Sequence, residues 1–351
     1  MQQRLSFASD YMEGAHPAIL QKLVQTNLEK TSGYGTDAYT RAAKEKIRLA
    51  CDAPDADIFF LVGGTQTNAT VIDAMLRGYQ GVIAAESGHI AAHEAGAIEF
   101  GGHKVLTLPH QGGKLSAEGI RGLLDAYLAD ANHEHMVMPG MVYLSQPTEY
   151  GTLYSRAELT AISAVCHVAG IPLYLDGARL AYALAYPEND VSLADLAALC
   201  DVFYIGGTKC GALFGEAVVI PKKDTIPHFF TTIKQHGALL AKGRLLGIQF
   251  DVLFTDGLYE KIGIPALQAA AQIRADLAQY GYRQCFRSPT NQVFCIMGNA
   301  LLPRLEQTVE YGFWEAYDAD HTIIRFASSW ATTMQDVQAL GECLKTLAAF
   351  R

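Results

Sequence analysis

The sequence has no C-x-x-C pair, no block of like charge, no low-complexity segment and no internal repeat. Its seven cysteines (Cys51, Cys166, Cys200, Cys210, Cys285, Cys295 and Cys343) are odd in number and scattered, so neither a disulfide framework nor a zinc site is expected, and no metal is assigned. Most read as small buried hydrophobes. No uninterrupted apolar run reaches the roughly 18 residues of a spanning helix, and the opening stretch from Met1 to Phe7 lacks the apolar segment of a secretory signal. These features predict a cytoplasmic protein with no membrane partner, and they leave the sequon Asn68-Ala69-Thr70 without meaning. Basic residues are outnumbered, 27 Lys and Arg against 36 Asp and Glu. The formal net charge of −9 opposes nucleic acid but leaves room for a local anion pocket.

With 351 residues, 50% of them hydrophobic and 18% charged, the chain is an ordinary globular protein. Typical domain sizes of roughly 100–200 residues allow it one to three domains. Short apolar runs alternate with helical patterns through its first two thirds, the signature of a mostly parallel sheet covered on both faces. Seven strands are expected, at residues 57–62, 82–85, 104–108, 141–145, 171–175, 202–205 and 217–220. Capping signals at Ser155/Glu158 and Ser192/Asp195 open helices, and Pro17 suits the first turn of a helix running to about Lys30. After about Gly237 the pattern changes to longer helices at 239–254 and 266–280, two strands near 293–297 and 322–326, and a final helix. The expected organisation is a large domain at 12–247 and a smaller α+β domain at 248–351 behind a long connecting helix, with residues 1–11 near the site.

The chemistry concentrates at strand ends. Phe203-Tyr204-Ile205-Gly206-Gly207-Thr208-Lys209-Cys210-Gly211 places one lysine on a glycine-rich turn after an apolar strand. A long side chain there costs rotamer entropy, whereas Gly-Gly-Thr lets backbone approach a phosphate closely. Upstream, the apolar stretch from Ile171 to Leu175 ends in Asp176-Gly177-Ala178-Arg179. An aspartate at that place can pair with a protonated pyridine nitrogen and keep the ring an electron sink. Either residue alone reads more naturally as structure, the lysine as a solvated loop residue and the aspartate as a turn or cap. Together, in this order, they point to pyridoxal 5'-phosphate held by a Schiff-base lysine. In open parallel sheets ligands bind beyond the carboxyl ends of the strands. The segments past the other strands, Gly63-Gly64-Thr65-Gln66-Thr67-Asn68, Glu86-Ser87-Gly88-His89 and Gln146-Pro147-Thr148-Glu149, are expected to converge on the same pocket.

From Phe7-Ala8-Ser9-Asp10 through Tyr34-Gly35-Thr36-Asp37, Glu94-Ala95-Gly96-Ala97, Asp176-Gly177-Ala178-Arg179 and Gly206-Gly207-Thr208-Lys209 to Arg325-Phe326-Ala327-Ser328-Ser329-Trp330, the chain resembles the low-specificity L-threonine aldolases. These belong to the aromatic amino acid β-eliminating lyase/threonine aldolase group of pyridoxal-phosphate enzymes. The resemblance covers nearly the whole chain and implies fold type I, the aspartate aminotransferase-like architecture. It implies retro-aldol cleavage of L-threonine, L-allo-threonine and related L-β-hydroxy amino acids to glycine and an aldehyde. Carried over by residue, Lys209 would hold the cofactor, Asp176 its pyridinium, and His89 would stack on the ring. Gly64, Thr65 and Thr208 would bind the phosphate, and Ser9, Arg179 and Arg325 the substrate carboxylate. Arg244 would reach the cofactor region of a neighbouring subunit in a homodimer or homotetramer whose site lies at the interface.

The sequence departs from the family at one place. Many relatives carry Asn-Thr-His-Asn after the fourth catalytic strand, where this chain reads Ser145-Gln146-Pro147-Thr148-Glu149 with Thr148 in place of the histidine. A second branch has a similar Gln-x-Thr-Glu. The β-hydroxyl base is therefore open, with His89 and Glu94 as candidates and Glu149 or an ordered water behind them. Also open are the preferred side chain, the direction in the cell, and neighbouring reactions of the same cofactor (β-elimination, phenylserine cleavage, transamination). A cofactor-free doubly wound binding protein is the reading from a different class.

Several weaker signals carry no function. Gly112-Gly113-Lys114-Leu115-Ser116 lacks the earlier glycine and the Ser or Thr of a P-loop, and His93-Glu94 begins a zincin motif that fails at Ala97. His89 and His93, one helical turn apart, could suggest a metal pair. His133-Glu134-His135 reads as a solvated loop, and Trp314 and Trp330 read as packing residues.

Overall fold

The computed structural model describes residues 4–350, so residues 1–3 of the expected N-terminal segment lie outside it. A short strand, β1 (Leu5–Phe7), precedes the seven of the large sheet: β2 (Asp57–Leu61), β3 (Gln80–Ala85), β4 (Val105–Leu108), β5 (Met138–Ser145), β6 (Leu173–Asp176), β7 (Val202–Gly206) and β8 (Glu216–Ile220). Four more follow, β9 (Arg283–Gln284), β10 (Gln292–Gly298), β11 (Val309–Ala316) and β12 (His321–Ala327).

The large sheet has the order β2-β8-β7-β6-β5-β3-β4. Every neighbouring pair is parallel except those that β8 makes with β2 and β7. Strands β6, β7 and β8 are buried along their whole length, as expected where helices cover both faces. Alternate residues feed two cores. Val142, Leu144, Leu173, Leu175, Phe203 and Ile205 join one, and Met141, Tyr143, Tyr174, Val202 and Tyr204 join the other. The second set sends three tyrosines toward the same strand ends.

The smaller sheet has the order β1-β11-β12-β10-β9. β1 runs parallel to β11, so the chain start is built into the C-terminal sheet and delivers residues 8–11 to the cleft. β11 is not among the expected strands although Val309, Tyr311 and Phe313 alternate with Glu310 and Gly312; its side chains are mostly half-buried or exposed, and its pairing with β12 is bulged between Phe313 and Glu315.

The helix expected at 239–254 as a connector is shorter, Arg244–Leu253, and packs against the helices Ala38–Ala50 and Pro17–Thr26. Glycines permit that approach: a Cβ on Gly243 would lie 2.4 Å from the Gly35 nitrogen, and one on Gly247 2.6 Å from the Thr40 nitrogen. The expected boundary between residues 247 and 248 thus falls within a helix seated on the large sheet's side. Core membership changes later, inside Ile264–Gln279, where Ala266 packs with the large core and Ala269 with the small one. The first helix stops at Thr26 instead of near Lys30, and Arg244 binds the carbonyls of Thr26 and Glu29 beyond it.

Candidate active site

A cavity of about 420 Å³ opens beyond the carboxyl ends of the large sheet's strands. Gly64, Thr65, His89, Asp176, Arg179, Thr208 and Lys209, all singled out in the sequence, line it. Of two roomier hollows, about 550 and 540 Å³, the first holds Lys114, already ion-paired with Glu158, and the second holds no lysine.

Asp176 ends β6 and is buried. It accepts hydrogen bonds from the Tyr143 hydroxyl (2.7 Å), the Tyr204 hydroxyl, the Asn68 amide (3.1 Å) and the Ala178 N–H (2.9 Å). Burial works to raise its pKa, but nearby His89 and the bonds from Tyr204, Tyr143 and Ala178 outweigh it and hold the carboxyl below its ordinary value. Burial pushes the Tyr143 and Tyr204 hydroxyls well above their usual range, so they remain donors. The result is a fixed anion aimed into the cavity.

Lys209 follows β7. Burial, then the neighbouring Arg179 charge, pull its amine below the ordinary lysine value against Asp10, Asp176 and Glu216. Lowering the pKa favours the neutral, nucleophilic form of the amine. Glu216, at the start of β8, also lines the cavity; burial raises its pKa to about 8 against the bond from Thr208 and the charge of Lys209.

The helix Gly64–Met75 points its N-terminus into the same cavity. Its N-cap, Gly63, supplies no side-chain acceptor, which leaves the first backbone N–H groups for an anion. A Cβ on Gly64 would sit 3.1 Å from the Tyr204 hydroxyl. An anion cradle, a buried carboxylate and a lysine amine of lowered pKa on the walls of one cavity fit pyridoxal phosphate.

Some expected residues sit differently. The Thr208 hydroxyl donates to Glu216 (2.8 Å) and accepts from the Gly215 N–H (3.0 Å), so its only proton is committed to shaping the turn and not to a phosphate. Glu94 does not line the cavity. Its carboxylate is fully buried behind His89, accepting from His89 Nδ1 (2.8 Å) and the Asn68 amide (2.7 Å), which orients the imidazole and keeps Glu94 from acting directly as a base. Arg244 is tied to carbonyls of its own chain and stands outside this cavity.

Arg179 lines the cavity and is gripped by buried Asp10 through two bonds, Nε at 2.6 Å and Nη2 at 3.0 Å. Ser9 and Arg325 are not on the cavity wall, yet each keeps a buried donor without a partner among the described residues, the Ser9 hydroxyl and Arg325 Nε. Burial and then Arg179 push Arg325 down to about 10. Thr148, in place of the family's histidine, is also off the wall, its hydroxyl 2.7 Å from that of Thr152.

Sequence reasoning missed Tyr11 and Glu216, which line the site, and Asp10, which anchors Arg179. It set His93 aside as half of a possible metal pair, and His93 also lines the site. Asp10 and Asn68 sat inside motifs already singled out, and their roles follow from partners more than 100 positions away. Among the described residues no group of three His, Cys, Asp or Glu could hold a metal, and no helix is long and apolar enough to cross a membrane.

The family model for β-eliminating lyases matches residues 6–299, a span containing the lysine, the aspartate and the anion cradle. The protein belongs to the β-eliminating lyase family. The chain is 31% identical over 353 residues to a low specificity L-threonine aldolase of a Pseudomonas species, with 98% of each chain covered. A second, from Pseudomonas aeruginosa, is 31% identical over 97% of this chain and 96% of that protein. Among solved structures, a Leishmania major threonine aldolase is 43% identical with a TM-score of 0.94, covering 98% of this chain and 99% of that one. A mutant Thermus thermophilus aspartate aminotransferase, at 14% identity and a TM-score of 0.72, covers 98% of this chain and 91% of its own, and shares the fold. The lyase therefore has the fold-type I architecture and depends on pyridoxal phosphate.

Proposed function

We propose that the protein cleaves L-threonine, L-allo-threonine and related L-β-hydroxy amino acids to glycine and an aldehyde. The observation that carries this reading is the convergence of Lys209, Asp176 and the N-terminus of Gly64–Met75 on one cavity, in a chain similar to proteins named threonine aldolases. Pyridoxal phosphate supplies the electron sink for a carbanion at Cα.

The chain's residues bind, orient and move protons around it. Lys209 would be the amine that holds the cofactor, Asp176 would keep its ring nitrogen protonated, and His89, locked by Glu94, would pack against the ring. Gly64 and Thr65 bind its phosphate. Arg179, with Arg325 and Ser9 supplying their open donors, would take the substrate carboxylate and orient the Cα–Cβ bond for cleavage. Each charge-assisted bond contributes roughly 1.5–3 kcal/mol, enough to choose which bond breaks.

The same reading makes the protein a homodimer or homotetramer, in which Arg244 would have to leave the carbonyls of Thr26 and Glu29 to reach a neighbouring subunit's site. Tyr11 and Met12 beside the cavity and Leu213 just past Lys209 are all exposed, which supports a partner covering this edge. Seven unpaired cysteines support a reducing, cytoplasmic setting. The test is release of glycine and aldehyde from L-threonine, L-allo-threonine and L-phenylserine, with D-threonine as control. Lys209→Ala should abolish it, and full turnover in that variant would remove the assignment. A keto acid and ammonia as products would indicate β-elimination instead.

A further inference from the structure

With Thr148 turned away and Glu94 sealed behind His89, the cavity still offers an imidazole that no part of the carried-over machinery uses. His93 caps the short helix His89–Ala92 and lines the cavity with Lys209 and Arg179. Its ring centroid is 5.7 Å from that of His89 and 6.1 Å from that of Trp314, so two aromatic neighbours on different elements hold it. Neither His93 ring nitrogen has a hydrogen-bond partner among the described residues, whereas His89 commits Nδ1 to Glu94. We propose that His93 is the catalytic base that accepts the β-hydroxyl proton of the substrate, the task Thr148 cannot perform. This rests on the aldolase reading above.

The surroundings favour that role. Burial first, then the charges of His89, Arg325 and Arg179, hold the His93 imidazole below its ordinary pKa, so it is a neutral acceptor at physiological pH. Glu149, also on the wall, already uses Oε1 to accept from the His89 backbone N–H (2.9 Å) and the Ser145 hydroxyl (2.7 Å), and burial raises its pKa. In the step, a His93 nitrogen takes the hydroxyl proton and the O–H electron pair becomes the second carbon–oxygen bond of the aldehyde. The Cα–Cβ pair stays on Cα, which takes a proton from water to complete glycine, and His93 returns its own proton to water. Trp314, on the small sheet, backs the ring and thereby couples that sheet to the chemistry.

The experiment compares wild type, His93→Phe and Glu149→Gln as holoenzymes. It measures kcat/KM for L-threonine and L-phenylserine against pH, together with exchange of the glycine α-proton, which needs the loaded site but no β-hydroxyl base. His93→Phe should lower the ratio of cleavage to exchange by about 10²–10⁴-fold and remove the acidic limb of the profile, while Glu149→Gln keeps that limb. In the cofactor-free protein, NMR titration of the ring signal missing from His93→Phe should give a pKa below the usual value of about 6.5. An unchanged cleavage-to-exchange ratio in His93→Phe, an acidic limb lost only in Glu149→Gln, or a His93 ring titrating above its usual value would overturn the proposal. A wild-type protein that exchanges glycine yet leaves every β-hydroxy amino acid intact would instead overturn the aldolase reading, and this proposal with it.

Discussion

Asp10 grips Arg179 across the cleft, the acid arriving from beside β1 of the small sheet and the arginine from the turn after β6 of the large one. Asn291 donates a third bond to the same carboxylate, 2.9 Å from Oδ2. Burial alone would raise the Asp10 pKa, but Arg179 first, then Lys209 and Arg325, hold it well below the carboxylate range. Arg179 in turn is held above its ordinary value by Asp10 against its own burial. The pair fixes the arginine on the cavity wall and ties the two sheets together.

Asp10→Asn should therefore act on stability and on substrate together. Removing one partner of a buried pair costs about 3–5 kcal/mol, readable by urea unfolding of the cofactor-free protein. Because the folded pKa of Asp10 is depressed, its contribution is complete above its unfolded value near 4 and is lost as pH falls toward the folded one. The acid-unfolding curve of the variant should be flatter than that of wild type below about pH 4. KM for the amino acid should rise more than kcat falls.

Asp176→Asn keeps the shape of the site and removes the charge. The amide oxygen can keep the Tyr204 and Ala178 bonds made to Oδ1, but the NH2 that replaces Oδ2 faces the Tyr143 hydroxyl and the Asn68 amide, and an amide gives a pyridine nitrogen no anionic partner. Cofactor uptake should survive, measured by the visible chromophore, while kcat falls on the order of 10²-fold or more.

Restoring the family's histidine as Thr148→His should not restore a base. Gly113 adopts a left-handed backbone, and a Cβ placed on it would meet Thr148 Cβ at 2.8 Å, so residue 148 is hemmed in by the Gly112–Gly113 turn. Overpacking there should cost roughly 1–3 kcal/mol in denaturant unfolding, with no gain in kcat. A faster variant would show that residue 148 reaches the substrate.

Glu216 makes stability depend on pH in the opposite sense from Asp10. Its folded pKa, about 8, lies above the ordinary 4.5, so its contribution is complete below about 4.5 and declines as pH rises toward 8. The slope approaches about 1.4 kcal/mol per pH unit in that window. Lys209, with its lowered value, opposes this at higher pH, so the difference between wild type and Glu216→Gln is the quantity to measure. That difference should shift in favour of the variant from pH 5 to 8 in denaturant titrations of the cofactor-free protein.

Much of the large sheet was legible because its strands are short apolar runs bounded by turn signals. The order in which polar clusters follow them placed Asp176, Lys209, Gly64, Thr65 and His89 on one rim. The small sheet was half legible: β10 and β12 are buried and apolar, whereas β11 carries a weaker alternating pattern, interrupted by Gly312 and mostly half-buried or exposed. The helix that was expected to connect the domains belongs to the large body because glycines at 243 and 247 let it lie against Gly35 and Thr40.

Which residues stand at the strand ends, and hence the lysine, the carboxylate and the anion cradle, is written in the order of the amino acids. A parallel sheet brings all its carboxyl ends to one edge whatever the packing details. Which side chains look into the cavity is settled by the folded chain. Glu94 lies behind His89, Thr208 is spent on Glu216, Thr148 turns toward Thr152, and His93 faces the open space. The reason is physical: the direction of a side chain on a turn is set by the hydrogen bonds and packing partners that remote segments bring to it, and neighbours in sequence do not encode those partners.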